Sequence, residues 1–146
     1  MKMREPKILI VDDSKIDRMI LKRAFDKVVD NSVELTEATD ALSALQTIGS
    51  TEFDAIFLDV NMPGHNGFHV LKSLRASRSG TWPLVFMYSS SEHPDDVKQA
   101  YDEQATSYLR KPTEFSQVRD LVTNCVSLIT FSSPNPDSAV GSRVYS

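Results

Sequence analysis

The chain has one cysteine, Cys125, in 146 residues, so no disulfide framework can staple it, and Cys125 reads as a small core residue rather than a reactive thiol. Its five glycines never cluster into a loop that could cradle nucleotide phosphates. No stretch approaches the roughly 20 apolar residues of a membrane span, and the N-terminus, Met1-Lys-Met-Arg-Glu-Pro-Lys7, lacks the apolar run of a signal peptide. A cytoplasmic protein without membrane insertion is expected. Excess positive charge is missing too: the net charge is −4, which leaves no electrostatic footprint for nucleic acid. No internal repeat is visible. What is present is an ordinary balance, 40% hydrophobic and 25% charged, enough for one globular domain with a real core and no room for a second catalytic domain.

The chain is organised around Phe53-Asp-Ala-Ile-Phe-Leu-Asp59, followed by Val-Asn-Met-Pro-Gly-His-Asn-Gly67. Ala55 to Leu58 run on without alternation, as a strand buried on both faces does, and Asp59 stands at its carboxyl end. Pro63 and Gly67 punctuate the chain before the next periodic segment, which holds Asp59 at the lip of a loop. In an open parallel α/β sheet that edge is where ligands and chemistry are found, so Asp59 is a candidate nucleophile. His65 nearby reads as an exposed loop histidine rather than a ligand.

The remaining segments repeat the pattern. Lys7 to Val11 is a short strand ending in Asp12-Asp13-Ser14, with Ser14 suited to cap a helix whose buried stripe is Ile16, Met19, Ile20, Ala24 and Val28. Its other side carries Lys15, Arg18 and Lys22, a solvated basic face or a docking face for an acidic or phosphorylated partner. Val33 to Ala38 alternates as an edge strand does. A second helix follows on Ala41, Leu42, Ala44, Leu45 and Ile48, with Gly49 as its cap. Phe68, Val70, Leu71 and Leu74 mark a third helix, ending among Ser77, Ser79 and Gly80. Pro83 to Tyr88 is a fourth strand ending in Ser89-Ser90-Ser91. Pro94 opens a fourth helix with only a thin apolar stripe, Val97, Ala100 and Tyr101, expected to be the most weakly held. Ser107 to Lys111 is a last strand stopped by Pro112. Thr113 then caps a fifth helix, with Glu114 in its first turn and Phe115, Val118, Val122, Cys125 and Ile129 on one face.

The order βαβαβαβαβα with short connections predicts an α/β fold, a doubly wound five-stranded parallel sheet with helices on both faces. The carboxyl ends of four strands then bring Asp12, Asp13, Asp59, Ser89 and Lys111 to one edge. Acids so crowded raise one another's pKa unless a cation lies between them, and an all-oxygen donor set suggests Mg²⁺. Lys111 supplies a point charge and Ser89 a neutral donor, which together make a phosphate site without a glycine-rich loop. Helix capping alone would explain one acid of the Asp12-Asp13 pair, not both.

These residues in this order resemble the receiver domain of bacterial two-component response regulators, the CheY-like family, from about Lys7 to Ile129. Asp12-Asp13 matches the family's acidic pair, Asp59 its phosphoacceptor, Ser89 its Ser/Thr, Tyr108 its switch aromatic and Lys111-Pro112 its Lys-Pro. The resemblance implies phosphorylation of Asp59 by a sensor histidine kinase or a histidine phosphotransfer protein. It implies Mg²⁺, with Mn²⁺ able to substitute, held by Asp13, Asp59 and the Asn61 backbone carbonyl, with Asp12 acting through water. It also implies a cis peptide at Pro112. Ser89 replaces the commoner threonine, Ser90 fills a position usually apolar or small, and Ser91 and Asn61 fall where the family tunes phosphoryl lifetime.

A haloacid dehalogenase would need Asp-x-Asp after the first strand, and a flavodoxin-like nucleotide binder would need phosphate loops. Neither fits. The expected protein is a single-domain regulator, not an enzyme acting on other substrates. It comprises a short extension at residues 1–6, a receiver at 7–130, and a polar tail at 131–146 that is disordered or docks back through Val144 and Tyr145. Its output is expected through a downstream protein target or a homodimer on the face of Tyr101, Tyr108 and Phe115. The alternatives are a phosphorelay shuttle or phosphate sink, or an interaction module independent of phosphorylation.

Overall fold

The computed structural model describes residues 5–28, 33–77 and 83–132, with Phe131 and Ser132 described by backbone alone. The strands are β1 (Lys7–Val11), β2 (Glu34–Ala38), β3 (Ala55–Leu58), β4 (Leu84–Ser89) and β5 (Ser107–Arg110). They form one parallel sheet in the order β2-β1-β3-β4-β5. The helices are α1 (Lys15–Val28), α2 (Ala41–Ser50), α3 (Gly67–Ala76), α4 (Pro94–Asp102) and α5 (Phe115–Ser132). The chain reverses its direction of travel across the sheet between β1 and β3, and the carboxyl ends of these two strands meet there.

Alternate residues of the central strands feed two separate cores. Leu9, Val11, Ile56, Leu58, Val85 and Met87 pack under α2, α3 and α4. Ile8, Ile10, Ala55, Phe57, Phe86 and Tyr88 pack under α1 and α5. Phe57 centres the second core, with Phe25 edge-on at 5.6 Å and Phe86 at 5.1 Å. Burial on both faces is what the unbroken apolar run of β3 required.

Several helix faces differ from expectation. In α1 the buried residues are Leu21, Ala24 and Phe25, whereas Ile16 is 67% and Met19 51% exposed. The inward face continues toward the N-terminus through Asp17, not Ile16, because this turn stands at the sheet's charged edge and not over its apolar surface. The basic stripe is not a free face either. Arg18 and Lys22 both pair with Glu37 of β2 at 2.9 Å, and Lys15 is exposed. In α2, Leu42 points outward, and Gly49 lies within the last turn, the cap being Thr51; Asp40 and Ser43 close the other end as a capping box. Helix α3 ends at Ala76 with Ser77 as its cap, one of the expected stop residues; Ser79 and Gly80 lie outside the described residues.

Helix α4 fully buries only Ala100, with Tyr101 half-exposed, a thinner hold than the sequence suggested. Helix α5 begins at Phe115, with Val118 N–H bonded to the Glu114 carbonyl, one residue later than a Thr113 cap implied. It runs to Ser132, two residues into the expected tail. Residues 133–146 and 1–4 lie outside the described residues. Among the described residues no peptide is cis, so the expectation for Pro112 is corrected: the bond before it is trans, the form that X–Pro peptides favour by about 0.5–1 kcal/mol. No described helix is long and apolar enough to cross a membrane.

Candidate functional site

Backbone bonds that extend the sheet past its strand ends fix the candidate residues. Asp12 N–H donates to the Ala38 carbonyl at 3.1 Å, Asp59 N–H to Val11 at 3.0 Å, and Lys111 N–H to Ser89 at 2.8 Å. Each side chain is thereby delivered to the same edge by a rigid element rather than by a loop. Asp12, Asp59 and Ser89 are buried, while Asp13 is exposed.

The carboxylates of Asp12, Asp13 and Asp59 offer oxygens within 4.8 Å of one another. Against them stands Lys111, with a side chain only 11% exposed. Its Nζ lies 2.7 Å from Asp12 Oδ2, 2.8 Å from Asp17 Oδ2 and 3.5 Å from Asp59 Oδ2. The Tyr88 ring forms a floor 5.8 Å below the ammonium. Burial opposes the charge on Lys111, but the hydrogen bonds to Asp12 and Asp17 and the Asp59 charge outweigh it, and the lysine is held above its ordinary range. Asp59 is pushed the other way from most paired carboxylates. Burial raises its pKa, Lys111 pulls it back and Asp12 raises it again, leaving it at about 6. The carboxylate cluster is therefore short of positive charge. Its all-oxygen donors fit a hard divalent cation, which Asp12, Asp13 and Asp59 could hold.

Asp12 also accepts the Ser14 N–H at 2.9 Å, while Ser14 Oγ accepts the Asp17 N–H at 3.2 Å; these two bonds turn the chain from β1 into α1. Asn61 N–H leans back to Asp59 Oδ1 at 3.4 Å. Ser89 Oγ accepts the Ser91 N–H at 3.2 Å and, among the described residues, donates to none. The site can thus offer a buried carboxylate oxygen as nucleophile, a nearly buried cation and an uncommitted hydroxyl proton.

A family model described as the response regulator receiver domain matches residues 8–123. The chain belongs to this family. The receiver is 33% identical over 106 residues to the chemotaxis protein CheY-3 of Vibrio cholerae, a match covering 73% of this chain and 80% of that protein. It is 26% identical over 125 residues to the sensory/regulatory protein RpfC of Xanthomonas campestris pv. campestris, covering 84% of this chain but spanning only 17% of that longer protein. Among solved structures, the phosphorylated cyanobacterial phytochrome response regulator RcpA superposes with a TM-score of 0.79 over 90% of this chain and 99% of that one, at 23% identity. The fold is CheY-like.

Two residues of the receiver's site escaped the reading of its sequence. Asp17 reaches Lys111, and its signal was available: it stands four positions after Asp13 and begins the inward face that continues as Leu21, Ala24 and Phe25. Gly67 looked like turn punctuation, but a Cβ there would collide with the backbone carbonyl of Asp59. The α3 N-terminus thus presses on the Asp59 backbone, with Gly67 N–H bonded to the Val60 carbonyl at 2.9 Å. No sequence pattern marks a close approach between segments that are joined by a loop. His65 is exposed, as expected, and stacks on His69 at 4.5 Å. Tyr108 is half-buried against the core under α4, and its hydroxyl already donates to the Ser91 carbonyl at 2.8 Å. Tyr101 is placed beside it, accepting the Tyr108 N–H at 3.1 Å, whereas Phe115 packs into the other core, under α1 and α5. The three do not form one contiguous cluster.

Proposed function

We propose that this receiver takes a phosphoryl group onto Asp59 from a phosphorylated histidine of a sensor kinase or phosphotransfer protein, and signals through a change in its own surface. The observation that carries this reading is the buried Asp59 carboxylate, crowded by Asp12 and Asp13 and faced by the nearly buried ammonium of Lys111. An Asp59 carboxylate oxygen attacks phosphorus, a P–O bond forms, the N–P bond breaks, and its electron pair remains on the donor's histidine nitrogen. Lys111 stabilises the charge on the transferring group, and Ser89 donates its free hydroxyl proton to a phosphoryl oxygen, so the protein's contribution is mainly placement and electrostatics.

Asp13, Asp59 and the Asn61 carbonyl would hold Mg²⁺, with Asp12 acting through water; bound there, the ion would supply the charge compensation that the three acids lack. A manganese-bound form of the response regulator Rcp1, 24% identical, supports Mn²⁺ as a substitute. The receiver assignment is also what makes a histidine kinase or phosphotransfer protein the fitting donor, and a cytoplasmic protein the fitting setting.

Output follows from the bonds that leave the site. The phosphoryl group brings about −1.5 to −2 charges and three acceptor oxygens. Ser89 Oγ is linked to Ser91 N–H, the Ser91 carbonyl to the Tyr108 hydroxyl, and the Tyr108 N–H to Tyr101. Tyr108 is thereby tethered to the β4–α4 loop. Recruiting Ser89 pulls on that loop directly. Two hydrogen bonds to a charged group contribute roughly 3 to 6 kcal/mol, against the roughly 5.5 kcal/mol that would carry a two-state element from 1:99 to 99:1. The exposed side of α4 and β5, with Tyr101 and Tyr108, is the surface offered to a downstream protein or a second copy.

The test is incubation of the full chain with acetyl phosphate and Mg²⁺, read by intact mass and peptide mapping. One phosphoryl group on Asp59, absent in Asp59→Asn and in excess chelator, is the expected result. Modification of the Asn variant, or full modification in chelator, would overturn the assignment.

A further inference from the structure

The ion pair between Lys111 and Asp17 joins residues 94 positions apart, and the phosphoryl chemistry above makes no use of it. Asp17 as an acid in the first turn of α1 would favour the helix dipole wherever its side chain pointed. Here it points inward to the one ammonium on which that chemistry depends. Lys111 has three N–H protons. Asp12 and Asp17 accept at 2.7 and 2.8 Å, while Asp59 stands off at 3.5 Å.

The geometry points to Asp17 as a parking site: it holds the Lys111 ammonium back from Asp59 in the resting receiver, and this contact breaks when Lys111 advances to the phosphoryl group. This rests on the reading that Lys111 stabilises that group. Asp17 cannot follow the lysine forward, because its turn is pinned. Its N–H is bonded to Ser14 Oγ and the Arg18 N–H to the Ser14 carbonyl at 3.0 Å. The Arg18 guanidinium is tied both to the Asp12 carbonyl at 2.6 Å and to Glu37 at 2.9 Å. Of the two short contacts, the one to Asp17 is the more easily released: its side chain is 35% exposed against 4% for Asp12, so water and salt screen it more. Asp17 is a positioning residue that acts through Lys111, and it sets how readily the site accepts phosphate.

The experiment compares initial phosphorylation rates by acetyl phosphate with Mg²⁺ in the wild-type chain, Asp17→Asn and Asp17→Ala, alongside thermal melting of each. Freed of one partner, Lys111 should raise the rate roughly two- to fivefold, as expected for a partly screened ion pair, with Ala above Asn. The gain should shrink as salt is raised and vanish in an Asp17→Ala, Lys111→Met double variant. Melting temperature should stay level or fall, opposite in sign to the rate, which a merely structural role would not produce. Folded variants whose rates equal or fall below wild type would overturn the parking role. A wild-type chain that takes no phosphate at all would instead overturn the phosphoacceptor reading beneath it.

Discussion

On the α1 side of Asp59, Lys111 faces three carboxylates within 3.5 Å from a nearly buried position. On the α4 side, Ser91, Tyr108 and Tyr101 are joined by neutral hydrogen bonds at or near the surface, over a helix that fully buries one residue. Charge–charge contacts in a dry setting are strong and costly to leave half-made, whereas neutral, water-competed bonds contribute about 1 kcal/mol each. In the proposed function, the first flank serves the chemistry and the second rearranges. The β4–α4 loop, residues 90–93, leaves Ser89 and connects them.

The harshest way to break this contrast is to remove its charged centre. Lys111→Met leaves Asp12, Asp17 and Asp59 without their cation, and phosphorylation by a small donor should fall by about 10² to 10³, the usual effect of deleting one electrostatic stabiliser. Without divalent cation the same variant should lose about 3 kcal/mol of stability in denaturant unfolding. A variant as stable and as reactive as wild type would mean that Lys111 is a surface lysine after all.

A smaller effect comes from the acid's own ionisation. Asp59 titrates at about 6 against an ordinary 3.8, so between these values the native state keeps a proton that the unfolded chain has released. This group's contribution to stability therefore falls as pH rises through that window and stays lost above it, by roughly 2 to 3 kcal/mol. In chelator, Asp59→Asn should melt above wild type at pH 8, and the gap should close toward pH 4. An equal gap at both pH values would place the carboxylate in ordinary solvent. Least of all, Tyr108→Phe removes one part-buried hydrogen bond on the other flank, and should cost about 1 kcal/mol while leaving the phosphorylation rate within twofold.

How far these flanks could be read from sequence differs for the same physical reason. The strands announce themselves by unbroken apolar runs, and the parallel order by their alternation with helices, so the sequence pattern alone brings Asp12, Asp13, Asp59, Ser89 and Lys111 to one edge. Periodicity, however, counts apolar residues only. It assigned Ile16 and Met19 to the buried side of α1 because Asp17, which opens the true inward face, is an acid bound to a lysine from the far end of the chain. Gly67 carried no mark of its pressure on Asp59, and the trans bond before Pro112 went against the family's habit while following the intrinsic preference of the peptide. The α4 flank was foreseen as weak from its thin stripe, but not that Tyr108 would already be bonded to Ser91.

The most direct measurement is hydrogen exchange of the full chain with Mg²⁺, with and without the phosphoryl mimic beryllofluoride, in wild type and Ser89→Ala. The account predicts changed protection in two places, around Asp59 and between Pro94 and Lys111, with the second lost in Ser89→Ala while the first persists. Protection that changed only around Asp59, or a distal change that survived Ser89→Ala, would contradict it.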